Sequence, residues 1–177
     1  MKASFITGIR SVEAREIEDA QTQQPDEALI RVAYVGICGT DLELYDGTSN
    51  YLRRGLTKYP HHYGHEWVGV IETPPQTAPD SRLKPGAVVT GSTMVPCLIC
   101  DFCQRGRRNL CTNLREVGLY EHGGAAAQKL VMPAHVLTVI DDGLGAEPHP
   151  EYILIEPLVT VLEGLAKAIP EPGDRVL

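Results

Sequence analysis

Cys97-Leu98-Ile99-Cys100-Asp101-Phe102-Cys103-Gln104-Arg105-Gly106-Arg107-Arg108-Asn109-Leu110-Cys111 gathers four of the chain's five cysteines into fifteen residues, at spacings of x2, x2 and x7. A thiolate is a soft ligand, and four of them close a tetrahedral zinc site with no position left for water. The short gaps let neighbouring sulfurs converge on one ion, and the longer gap lets the chain loop back, with Gly106 and the arginines suiting an exposed turn. The competing readings are two disulfides or four inert thiols. Disulfides require an oxidising compartment, and cysteines separated by two residues rarely bridge each other. A zinc held by Cys97, Cys100, Cys103 and Cys111 is closed and therefore structural, so it marks a lobe over residues 92–116 without naming a chemistry.

The chain around that lobe reads as β-rich. Lys2 to Thr7, closed by Gly8, predicts a first strand, and a polar segment through Pro25 and Asp26 predicts a loop and turn. Ala28 to Gly36 alternates in part and predicts a strand with one buried face. A short helix follows within Ile37–Gly47, capped by Thr40 or Asp41. The stretch to Tyr63, rich in Arg, Tyr and Gly, reads as an irregular surface loop. Strands are predicted at Trp67–Ile71, Ala87–Thr90, Ala127–Val131 and Val136–Ile140, with the prolines of Thr73–Asp80 in a loop. Many short strands with Gly/Pro turns indicate a barrel or a sandwich. From Glu151 the pattern changes: Leu158, Leu162, Leu165 and Ile169 fall at helical spacing, predicting a helix from near Pro157. Pro170–Leu177 then reads as a turn entering a new strand, so further chain is expected beyond it.

Composition bounds the function. At 177 residues the chain is one domain, or one domain with a short attachment. Its 43% hydrophobic and 22% charged residues suit an ordinary globular core. Sixteen Lys and Arg against 23 Asp and Glu give a net charge of −7, which argues against nucleic acid or an anionic membrane as main partner. The N-terminus lacks the apolar run of a signal peptide, and no stretch reaches transmembrane length. Five cysteines with four in a metal-like cluster point to a reducing cytosol.

A second set of ligand types is dispersed: Cys38 between Gly36 and Gly39, His65 and Glu66 ahead of Trp67, and Glu156 ahead of Pro157. Cysteine, histidine and carboxylate together can hold zinc while leaving room for water or a substrate oxygen, which the ion polarises as a Lewis acid. Singly, each has a plainer reading: a small buried thiol, a hydrogen-bonded imidazole, a helix-capping carboxylate. Spacing alone leaves these alternatives open.

Cys38-Gly39-Thr40-Asp41, Gly64-His65-Glu66 with Gly69, the four-cysteine lobe, Gly123-Gly124, Glu156-Pro157-Leu158 and Pro172-Gly173-Asp174-Arg175-Val176 occur in that order over essentially the whole chain. Together they resemble the zinc-containing medium-chain alcohol dehydrogenases, specifically their N-terminal catalytic domain. The resemblance implies a mainly β, GroES-like partly open barrel over residues 1–150, with a few short helices and the zinc lobe. Residues 151–177 would be a linking helix and the start of a nucleotide-binding Rossmann domain absent from this chain.

The resemblance further implies two zincs per chain. Cys38, His65 and one carboxylate would hold the catalytic ion, Glu156 being suggested by polyol, sugar and threonine dehydrogenases that carry Glu-Pro-Leu. Glu66 would stand behind the ligands or exchange with water during turnover. Thr40 would take the substrate proton, and Asp41 would orient His65 or cap the helix. Where many relatives end the proton relay on a histidine, this chain has Glu43. No Gly-x-Gly-x-x-Gly motif is present, and Gly143-Leu144-Gly145 lacks its frame. The parent is expected to be an NAD- or NADP-dependent, cytoplasmic, homo-oligomeric oxidoreductase for a small alcohol, and the segment alone to be inactive. The alternative is a stand-alone zinc-binding GroES-like module with a binding or regulatory role. Residues 48–63 are the expected contributors to specificity, with Arg53 and Arg54 read as solvated.

Overall fold

The computed structural model describes residues 1–143, 145–169 and 171–175. Its centre is an open antiparallel sheet of five strands: β3 (Glu27–Val35), β4 (Trp67–Thr73), β5 (Val88–Gly91), β9 (Lys129–Pro133) and β10 (Leu137–Asp141), in spatial order β10-β5-β4-β3-β9. The expected strands and the mainly β class are present. In β3 the alternation works as a two-residue period must: Ala28 and Ile30 face inward while Arg31 is exposed. Trp67, fully buried at the start of β4, anchors a core that includes Ile30, Ile71, Val89 and Met132. Truncating such an indole to alanine costs about 3–5 kcal/mol.

Three expectations need correction. Residues 9–24 are not all loop, because Ser11–Glu16 forms β2, paired antiparallel with β1 (Lys2–Gly8) from Lys2↔Glu16 to Gly8↔Ser11. Most of β2 is exposed, so it carries no apolar alternation to read, and backbone pairing with β1 holds it in place. The irregular stretch also contains a short helix, α2 (Asn50–Arg53), with Ser49 accepting the Tyr51 N–H at 3.2 Å. Ahead of it, α1 spans Gly39–Asp46 as expected, but its N-cap is Cys38, not Thr40 or Asp41.

β6 (Met94–Val95) and β7 (Arg115–Val117) pair antiparallel across the base of the cysteine lobe, and β8 (Glu121–His122) joins β7. Inside the lobe lies α3 (Asp101–Gln104). A second core of Ile6, Leu44 and Leu119, flanked by Tyr45, Tyr51, Tyr59, Tyr63 and Tyr120, joins β1 and α1 to the turn after β7. The expected terminal helix is α4 (Ile155–Ala168), preceded by a 3-10 turn, Pro150–Leu154, that packs on β3 and β4. Leu158, Leu162, Leu165 and Ile169 fall in or just after α4 but are about half exposed or more. The strand expected to begin near residue 175 lies largely outside the described residues. Among those described, no helix is long and apolar enough to cross a membrane.

Candidate metal centres and the cavity between them

The four sulfurs of Cys97, Cys100, Cys103 and Cys111 lie within 4.8 Å of one another, the grouping the spacing anticipated. The Cys97 N–H donates to Cys111 Sγ at 3.3 Å, and the Cys111 and Cys97 sulfurs stand 3.5 Å apart. The backbone N–H of Cys103, then that of Thr112, aims at Cys100 and lowers its pKa from 9.0 to about 6. Burial, and then the neighbouring Cys100, pushes Cys103 up to about 12. Four thiols drawn together, with backbone donors aimed at sulfur, suit a site that a divalent ion completes by binding them as thiolates.

The second group combines Cys38, His65 and Glu66, whose ligand atoms likewise lie within 4.8 Å of one another. Each is delivered by a different piece of backbone logic. Cys38 caps α1, and its N–H donates to Asp41 Oδ2 at 2.9 Å, so the carboxylate three residues on fixes the cap. His65 is 4% exposed and arrives at the entrance to β4. Gly64 is pinned beside it: the Ala125 N–H donates to the Gly64 carbonyl at 2.8 Å, and a Cβ on Gly124 would collide with the Tyr63 carbonyl. Glu66 faces Gly36, whose N–H donates to the Glu66 carbonyl at 2.7 Å; an added Cβ would fall 2.5 Å from Glu66 Oε2.

Asp41 is not the N-cap itself but the N3 residue whose carboxylate completes the cap at Cys38. Its second oxygen, Oδ1, faces His65 Nδ1 at 3.8 Å, and both atoms are buried without any hydrogen-bond partner among the described residues. With Nδ1 turned to a carboxylate, Nε2 is the nitrogen left for a metal ion. The soft, imidazole and carboxylate donors fit an open zinc site. Buried His61 braces the same region: its Nε2–H donates to the Gly118 carbonyl at 2.8 Å, its Nδ1 accepts from Thr57 Oγ1 at 2.7 Å, and burial lowers its pKa.

A cavity of about 730 Å³ opens over this group, lined by Cys38, Thr40, His65, Tyr51, Glu116 and Glu156 among others. Thr40 Oγ1 lies 3.9 Å from Cys38 Sγ. Glu156 is in the cavity but outside the three-residue group; its Oε1 accepts from Thr93 Oγ1 at 2.8 Å. Glu66, not Glu156, stands with Cys38 and His65 here. Glu43 is exposed on α1. Sequence reasoning missed Thr93 and Glu116, and reached Gly36 only as a neighbour of Cys38 and Tyr51 only within residues 48–63; none has a local motif, and their roles arise from chain segments far apart. A second depression of about 800 Å³, lined in part by Glu18, Asp19, His62 and His122, contains neither metal group.

Residues 24–142 match the family model described as alcohol dehydrogenase GroES-like domain. The chain is 32% identical to L-galactonate-5-dehydrogenase of Escherichia coli (strain K12), over 86% of this chain and 41% of that protein. It is 30% identical to sorbitol dehydrogenase of Bacillus subtilis (strain 168), over 99% of this chain and 48% of that one. An alcohol dehydrogenase from E. coli CFT073 solved with NADH superposes with a TM-score of 0.74 at 28% identity, covering 96% of this chain and 46% of that one. The chain thus spans about half the length of the relatives it matches.

Proposed function

Because this chain belongs to the alcohol dehydrogenase GroES-like domain family, we propose that its protein is a zinc-dependent dehydrogenase, moving hydride between NAD or NADP and a secondary alcohol, polyol, sugar or amino-alcohol. One observation carries the reading: Cys38, His65 and Glu66 converge beneath a cavity, separately from a closed four-cysteine group. Cys38, His65 and a carboxylate would hold the catalytic zinc, Glu66 being the nearer candidate and Glu156 the second one in the same cavity. Cys97, Cys100, Cys103 and Cys111 would hold a structural zinc, two ions per chain in all.

When bound, the zinc of the open site supplies Lewis acidity toward the alcohol oxygen. The remaining work falls to the chain. Asp41 keeps the His65 proton on Nδ1, and the Thr40 hydroxyl accepts the alcohol's proton and hands it to water, Glu43 being turned outward. When bound, a nicotinamide cofactor would supply the acceptor for the hydride from the alcohol's carbon. A reducing cytoplasm and the homo-oligomer usual for the resembling family complete the proposal.

The test is metal analysis of the purified, zinc-reconstituted chain, with cobalt in the open site as reporter. Two ions per chain, falling to one in Cys38→Ala, and a cobalt spectrum that shifts on adding an alcohol are expected. One ion per chain and no alcohol response would instead leave a zinc-binding module without dehydrogenase chemistry.

A further inference from the structure

The cavity over Cys38 and His65 is also lined by a polar pair that belongs to neither metal group. Tyr51 donates its hydroxyl to Glu116 Oε2 at 2.7 Å, and both residues line the cavity over Cys38 and His65. Glu116 Oε1 has no hydrogen-bond partner among the described residues, while the Tyr51 ring is fixed beside Tyr120, centroids 5.8 Å apart. Burial, and then the Glu116 carboxylate, raises the Tyr51 pKa well above the usual phenol range, so the hydroxyl keeps its proton and acts as a donor rather than as an acid or base.

The base of the cysteine lobe supplies part of this lining. Glu116 lies on β7 opposite Met94 of β6, and Thr93 beside it holds Glu156. The cavity lining therefore includes acceptors and hydroxyl oxygens together with Leu119, Met94 and Val136. A simple monohydric alcohol would leave the free oxygen of Glu116 dehydrated and unpaired, whereas hydroxyl groups further along a polyhydric chain would donate to it. Sites built to hydrogen-bond a substrate hydroxyl reject analogues that lack it much more strongly than apolar pockets reject an extra methylene.

We propose that Glu116, oriented by Tyr51, is a specificity-determining residue that reads hydroxyl groups remote from the reacting carbon, making the substrate a neutral polyhydroxylated alcohol. The inference rests on the dehydrogenase reading of the same cavity. Arg108, exposed but also on the lining, is the one cation among the cavity's described residues and the group that an anionic substrate would use instead.

Sorbitol, 2-butanol and sorbitol 6-phosphate are titrated into the chain with zinc in the lobe and cobalt in the open site, following the cobalt spectrum. Wild type is expected to prefer sorbitol to 2-butanol by at least tenfold in Kd, and Glu116→Gln and Tyr51→Phe to bring that ratio near unity with metal content unchanged. Tyr51→Phe keeps the ring against Tyr120, so a packing defect would not produce the same change in ratio. An unchanged ratio in both variants overturns the inference and leaves the dehydrogenase reading intact. Tighter binding of the phosphate also overturns it, in favour of Arg108. No spectral response to any alcohol removes both together.

Discussion

Asp41 Oδ1 faces His65 Nδ1 across 3.8 Å of almost fully buried space, while the other oxygen of the same carboxylate caps α1 through the Cys38 N–H. One side chain thereby touches two members of the metal group, bonded to the Cys38 backbone and facing the His65 ring. The separation exceeds a hydrogen bond, and neither atom has a hydrogen-bond partner among the described residues.

Asp41→Asn tests that coupling. If the amide oxygen keeps the Cys38 N–H, its NH2 faces Nδ1, which must then accept, placing the proton on Nε2 where a metal would bind. The open site should lose about 10–100-fold in metal affinity, with the four-cysteine lobe still loaded. Competition against a chromophoric chelator reads both sites.

Gly36→Ala places a methyl 2.5 Å from Glu66 Oε2. The carboxylate must move, since Gly36 is also tied to Glu66 through its N–H. Overpacking of this kind costs about 1–3 kcal/mol, and the variant should fold with a lowered urea midpoint and a weakened open site. Full retention of both zincs at wild-type affinity would show that Glu66 does not depend on that space.

Cys103→Ala removes the most deeply set thiol of the lobe. Structural zinc sites are worth about 10–16 kcal/mol to the peptides that form them, so one equivalent of zinc should be lost and the lobe should open. Arg105, Arg107 and Arg108 are all exposed there. Limited trypsin digestion should therefore nick the variant within residues 103–111 much faster than wild type.

Acid stability should carry the mark of His62. Burial, its leading cause, lowers the His62 pKa from 6.5 to about 4. The unfolded chain thus binds a proton that the folded chain refuses, so this stabilisation is complete above pH ~6.5 and is lost as pH falls toward ~4, amounting to about 3 kcal/mol at most. His62→Gln should flatten the decline of the urea midpoint between pH 7 and 4.5. His61, His122 and His135, lowered in the same direction by burial, will keep part of the slope.

The four-cysteine group, the principal strands and α4 were legible because each is written within a short window. Sulfurs two residues apart can scarcely avoid one another, and alternation in β3 or helical spacing in α4 follows from backbone geometry alone. The strand β2 escaped because pairing without burial leaves no pattern in the side chains.

The open site was legible as a set of residue types and by its family resemblance, but its arrangement was not. Cys38, His65 and Glu66 meet because Gly36 leaves room for a carboxylate and because Gly64 is hydrogen-bonded to Ala125, contacts between segments distant in the chain. Glu156 joins the cavity through Thr93, and Glu116 through Tyr51, for the same reason. Local spacing determined which ligands this protein possesses. Only the packing of β3, β4 and the base of the lobe decided which of them stand together, because side-chain proximity across long loops is set by the tertiary core and by where a missing Cβ permits close approach.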